Sequence, residues 1–259
     1  ELLAKKISSL PKERQAALKI ASCFGTSISS ALVSSMSEAA DYFFFGRELA
    51  CAYSEGFMER DVPSGGYKFA HDKVAEAAYG QMDEEDRFRL HYDIGVVLRN
   101  SSGGLASDNK LFLCVDQINR GQTMINGSQE LLEVVQMNHS AASKALKACH
   151  YTAALRYAKT ALKLIEQENP FASSKRIMIM SVMANAAYAC GHLKEASGAL
   201  DAILRDEASL DEKFKFDVYD LKITMVCLLI LTNESGSCMR SNFASDFIIF
   251  SSCLVKKAK

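Results

Sequence analysis

Residues 67–79 read YKFAHDKVAEAAY. Tyr67 and Phe69 flank Lys68 as alternate positions of a strand would, His71-Asp72 follow, and Val74, Ala77 and Ala78 then recur at helical spacing. A histidine therefore stands at the mouth of a helix, just behind a strand, where an imidazole can meet a phosphate. Upstream, Phe57-Met58-Glu59-Arg60 forms a second strand-like run, separated from the first by Pro63, Ser64, Gly65 and Gly66, which is turn chemistry for a hairpin. Asp72 is expected to cap the helix behind this hairpin, its carboxylate accepting from the free N–H groups of the first turn. Val74, Ala77, Ala78 and Met82 line the buried side.

Three helices are expected ahead of the hairpin. The first runs from Leu10 to Cys23, with Pro11 in its first turn and Gly25 at its end, and the second from Ile28 to Met36. The third spans Glu38 to Ser54, carries Tyr42, Phe43, Phe44 and Phe45, and is closed by Gly56. Three helices followed by a β-hairpin make a winged helix. A further helix over about residues 84–99 shows Leu90, Ile94, Val97 and Leu98 at helical spacing and stops before Ser101-Ser102-Gly103-Gly104. By sequence the chain divides here, into a winged-helix domain over 1–100 and a helical array over 105–231.

The second part is alanine-rich and repeats itself. Cys149-His150-Tyr151-Thr152-Ala153-Ala154 aligns with Gly191-His192-Leu193-Lys194-Glu195-Ala196, each following one helix and opening the next. Ala142 and Ala154 answer to Ala184 and Ala196, small residues where the helices of a hairpin approach closely. This is tetratricopeptide-like (TPR-like) spacing. A third unit opens near Leu210. Phe214, Phe216 and Val218 alternate like a strand, but the stripe Phe214, Val218, Leu221, Met225 and Leu228 runs too long for one, so a helix is expected. From 232 to 259 the pattern is lost, and a poorly ordered tail is expected. The predicted fold class is thus mainly α: a winged helix with a small β-hairpin, then an α-α repeat array.

Composition narrows the function. The chain has 259 residues, 49% hydrophobic and 24% charged, with a net charge of −1, which is ordinary for a globular protein and demands neither nucleic acid nor membrane. Such a length buries about 70–75% of its unfolded surface, enough for one large core or two modest ones, and two units are expected. The eight cysteines form no CxxC pair and no Cys/His spacing suited to a metal, so a reducing, cytoplasmic setting with cysteine as core filler is expected, and no metal site. Apolar runs such as Met225–Leu231 fall far short of the roughly 18 residues a spanning helix needs. A start at Glu1 without methionine points to a region excised from something longer. No GxSxG, HExxH, GxxxxGK[ST] or kinase catalytic loop occurs, and no catalytic residue is assigned.

The run FAHDKVAEAAYGQMDEEDRFRLHYDIGVVL, residues 69–98, resembles the winged-helix portion of STAND-type AAA ATPases, the signal-transduction NTPases of large sensor kinases and related regulators. LFLCVDQINRGQTMI at 111–125 resembles the segment joining that module to its helical repeats, and with VYDLKIT at 218–224 the likeness covers most of residues 1–231. Within that class it is closest to the ATPase and repeat region preceding sensor and histidine-kinase domains. The resemblance implies that His71 contacts the β-phosphate of bound ADP and that Asp72 orders the helix start. It implies ADP or ATP in an intact parent, an upstream nucleotide-binding domain as one partner, and protein partners on the repeats. The phosphate loop and Walker B residues are absent from this chain, which is therefore expected to be non-catalytic by itself.

Other residues carry structural readings. His91, among Phe88, Leu90 and Ile94, reads as core packing, and His150 and His192 as turn positions. Asp83-Glu84-Glu85-Asp86 offsets a helix dipole. Tyr42–Phe45 is a core helix before it is a docking surface. The closing KKAK resembles a dilysine retrieval tail, without meaning in the absence of a membrane span. Three functions compete: a regulatory region coupling nucleotide state to partner binding, a stand-alone TPR-like adaptor, and a winged-helix DNA-binding regulator. The last is disfavoured because Glu38, Asp41 and Glu48 face only Arg47 on the third helix.

Overall fold

The computed structural model describes residues 2–101, 108–168, 173–205 and 212–232, so the expected tail beyond Thr232 and most of the 101–104 linker lie outside the described residues. The fold is mainly helical with one small sheet, and the chain forms two compact units, Glu1–Gly127 and Ser128–Lys259. By sequence the division falls near residue 100. The units divide after Gly127 instead, because α7 (Asp108–Arg120) packs along α6 (Glu84–Asn100). Gly95 permits that approach: a Cβ there would lie 2.4 Å from Cγ1 of Ile118.

In the first unit, α1 (Leu2–Ser8) precedes α2 (Lys12–Cys23), with Pro11 just outside the helix rather than in its first turn. Next come β1 (Ser27–Ile28) and α3 (Ser30–Ser37), whose cap is Ser29, its hydroxyl accepting from Leu32 N–H at 3.3 Å. The expected helix from Glu38 to Ser54 is broken. Residues Ala40–Tyr42 form a 3-10 turn and α4 begins only at Phe45. The reason is geometric: at about 100° per residue, four consecutive aromatics sweep most of the way round a helix and cannot share one buried face. Breaking the helix lets Phe45 sink to 0% exposure while Phe43 stays 67% exposed, meeting Phe44 edge to face at 6.2 Å.

α4 (Phe45–Ser54) leads to the hairpin β2 (Met58–Asp61) and β3 (Gly66–Phe69). The hairpin pairs Met58 with Phe69 and Asp61 with Gly66, while β1 adds to the other side of β3, pairing Ser27 with Lys68 and Ile28 with Tyr67. The sheet is antiparallel in the order β1-β3-β2. β1 escaped the sequence reading because two residues show no alternation. α5 (Asp72–Gly80) and α6, with Met82 between them, complete the unit's core through Val74, Ala78, Ile94 and Leu98.

The second unit contains α8 (Ser128–Lys147), α9 (Tyr151–Glu168), α10 (Ser173–Ala189), α11 (Leu193–Arg205) and α12 (Glu212–Thr232). α8 pairs with α9 and α10 with α11, and α10 also lies against α9. The two turns are built alike. His150 N–H donates to the Ala145 carbonyl and Ala154 N–H to that of His150; His192 N–H donates to Ala187 and Ala196 N–H to His192. Each turn needs one left-handed residue, Cys149 at φ 60° in the first and Gly191 at φ 78° in the second. Ala142, Ala154, Ala184 and Ala196 are all fully buried, as close helix packing requires. The Phe214–Leu228 stripe lies on the helix α12, which packs on α11.

Candidate functional site

Two backbone bonds fix the approach to α5: Phe69 N–H donates to the Thr26 carbonyl at 2.9 Å and Ala70 N–H to that of Phe57 at 3.0 Å. The chain therefore leaves the hairpin with His71 already aimed at the helix start, in extended conformation (φ −154°, ψ 141°). The cap expected of Asp72 belongs to His71. Its Nδ1 accepts the Lys73 N–H at 3.0 Å, whereas Asp72 is the first helical residue. The preceding strand sets this: with His71 still extended, its own side chain folds over the first turn, and Asp72 is left to complement the helix dipole from within.

The cap has a chemical consequence. An imidazole that accepts at Nδ1 carries its proton at Nε2 when neutral, so the tautomer assigned by this bond presents an N–H donor on the far side of the ring. His71 is exposed, and Nε2 has no partner among the described residues. Beside it Lys73 is tied to Glu76 at 2.6 Å. The outward N–H can donate to an anion, with the Asp72 carboxylate beside it at the helix start.

Helix α4 has the opposite character. Arg47 pairs with Glu48 at 3.0 Å and Glu13 at 3.3 Å, while Arg14 of α2 pairs with Glu48 at 3.2 Å and also with Glu55. Three carboxylates thus neutralise two guanidinium groups, leaving little for a phosphate backbone.

His91 is packed in the core at 1% exposure, but it is also hydrogen-bonded on both ring nitrogens, which sequence did not disclose. Gln117 Nε2 donates to the Cys23 carbonyl at 3.0 Å, which turns Gln117 Oε1 toward His91 Nδ1 at 2.6 Å; the Tyr79 hydroxyl meets Nε2 at 3.0 Å. The polarity is then fixed from Tyr79 O–H through His91 Nδ1–H and Gln117 to Cys23, tying α5, α6, α7 and α2. Burial holds the His91 imidazole below the ordinary histidine range, more than the Gln117 bond restores, and the Arg120 charge lowers it further. Because the unfolded chain takes up this proton first, the stability due to neutral His91 is complete above about pH 6.5 and is lost as pH falls below it. In urea titrations between pH 7.5 and 5.5, His91→Gln is expected to remove up to about 1.4 kcal/mol per pH unit of the wild type's acid destabilisation. An unchanged slope would show that the proton goes elsewhere.

In the second unit His150 and His192 serve the turns, and with Cys149, Cys190, Tyr151 and Thr152 they line a cleft of about 570 Å³. Cysteine is core filler at Cys23 and Cys114, where burial pushes the thiols up to about 12, but Cys149 is exposed. Among the described residues no three His, Cys, Asp or Glu side chains are grouped so as to hold a metal ion, and no helix is long and apolar enough to cross a membrane.

No family model and no curated protein matches the chain. Among solved structures it is similar to a Signal Transduction ATPase with Numerous Domains (STAND) protein with a tetratricopeptide repeat sensor from Pyrococcus horikoshii, at 16% identity and a TM-score of 0.43. The match covers 96% of this chain and 39% of that one, so the chain spans well under half of the archaeal protein's length. Likeness at that level assigns no role.

Proposed function

We propose that this chain is a non-catalytic regulatory and interaction region of a cytoplasmic signal-transduction ATPase, in which a winged-helix unit reads nucleotide state and the TPR-like hairpins bind a protein partner. The observation that carries the reading is the His71 ring, capped inward through Nδ1 and presenting Nε2–H outward directly behind a hairpin. The order α2-β1-α3-α4-β2-β3 supports a winged helix, and the resemblance over residues 69–98 supports the family. The nucleotide itself would be held by a partner domain, with His71 adding one hydrogen bond to a phosphate and Asp72 standing beside it at the helix start. Such a bond is worth about 1.5–3 kcal/mol, whereas a full switch takes about 5.5, so His71 biases a switch that domain contacts must complete.

The test separates cap from donor. In the protein that joins this region to its nucleotide-binding domain, His71→Ala is expected to weaken ADP about tenfold or more and to destabilise α5 by about 0.5–2 kcal/mol. His71→Asn keeps a capping oxygen, so it should restore the helix and leave ADP weak. Equal ADP affinity and release for all three proteins would remove His71 from the role.

The matched hairpins favour a second reading, a TPR-like adaptor. It predicts partner binding that is indifferent to nucleotide. A DNA-binding role would need free cations on α4, and its Arg47 is paired with Glu13 and Glu48.

A further inference from the structure

Phe45 enters the core, but Tyr42, Phe43 and Phe44 do not. Tyr42 and Phe44 line a cavity of about 270 Å³ between α2, the 3-10 turn and α6, and Phe43 stands outside it with its ring edge to face against Phe44. Its floor is apolar, made by Ile20, Phe44, Met82 and Leu90, and its polar rim carries Asp86 and Asp93 opposite Tyr42. Two cations also reach it, Lys19 and Arg89, but Arg89 is held by Glu85 at 3.0 Å. Asp93 is half-buried and has no hydrogen bond or ion pair among the described residues. Its carboxyl is held above the usual carboxylate range by burial, against the pull of Arg89 and with help from Asp41. With Arg89 matched by Glu85, the two lining aspartates Asp86 and Asp93 remain against Lys19, and a cation would relieve them.

We propose that this cavity docks a basic, apolar-flanked peptide segment of a partner protein, with one lysine or arginine stem lying on Phe44 and its head at Asp93. The stem of such a side chain suits an apolar floor while its charge meets the rim, and the rings of Tyr42 and Phe44 add cation–π attraction. The exposed Phe43 selects a peptide over a small amine. A small molecule filling the cavity would leave that ring bare, whereas a neighbouring apolar residue of a peptide covers it. The site is separate from His71 and does not rest on nucleotide reading.

The probe is a displayed library of randomised short peptides, selected on the whole chain, on Asp93→Asn and on Phe43→Ser. The wild type is expected to enrich peptides in which Lys or Arg adjoins Leu, Met or Phe. A synthetic copy, titrated by fluorescence anisotropy, should bind about tenfold more weakly to Asp93→Asn and to Phe43→Ser. Absence of enrichment, enrichment of acidic peptides, or equal binding to both variants would overturn the proposal. Should a variant lose its thermal transition, NMR shifts in the wild type decide: changes at Tyr42, Phe44 and Leu90 support the site, and changes confined to other surfaces refute it.

Discussion

Phe45→Ala is expected to destabilise the first unit by about 3–5 kcal/mol, while Phe43→Ala, two residues away, changes stability by no more than about 0.5 kcal/mol. Phe45 is fully enclosed at the first turn of α4, so truncation removes a ring from water-free packing and leaves a void that α2 and the sheet cannot fill. Phe43 loses almost nothing because its ring is already 67% in water. Hydrogen exchange at the amides of α2 and α4 measures both, and similar losses of protection in the two variants would mean that the 3-10 break between Phe43 and Phe45 is misplaced. The comparison also serves the proposed peptide test, since Phe43 can be altered without disturbing the fold.

Gln117→Leu carries the second large effect, about 2–6 kcal/mol. Leucine fills the volume but strands two buried groups, the His91 Nδ1–H and the Cys23 carbonyl, each costing about 1–3 kcal/mol when unpartnered. The two residues act as one unit. His91→Leu in the Gln117→Leu background is therefore expected to cost clearly less than the two single changes together, because it removes one of the stranded donors. Strict additivity in urea denaturation would show that the hydrogen-bond chain is not continuous.

How much of this was legible follows from where the signals are local. Pro63-Ser64-Gly65-Gly66 announces its hairpin because turn residues act through their own dihedral angles, and the His150 and His192 turns announce themselves by repetition. The break before Phe45 was not legible as a pattern, since residues 38–54 hold no proline and only one glycine, Gly46, and it is the competition of four aromatics for one core face that ends the helix. β1 exists only because β3 is there to receive it. For the Gln117 bond a signal was present and went unread: Gln117 adjoins the buried stripe of Leu111, Cys114, Val115 and Ile118, just as His91 sits with Ile94 and Leu98. Two polar residues on the inward faces of consecutive helices must answer each other. At His71 the residue was legible and its bond was not, because the choice between Asp72 and His71 as cap depends on how long the strand geometry persists past Phe69.

Under the proposed reading, that cap gives one ring two duties. Its inner nitrogen anchors the first turn of α5, so the imidazole cannot swing outward to follow a retreating ligand without letting go of Lys73. A ligand that gripped the outer nitrogen would therefore tug on the root of a nine-residue lever, and its departure would be felt at that root before any larger movement began.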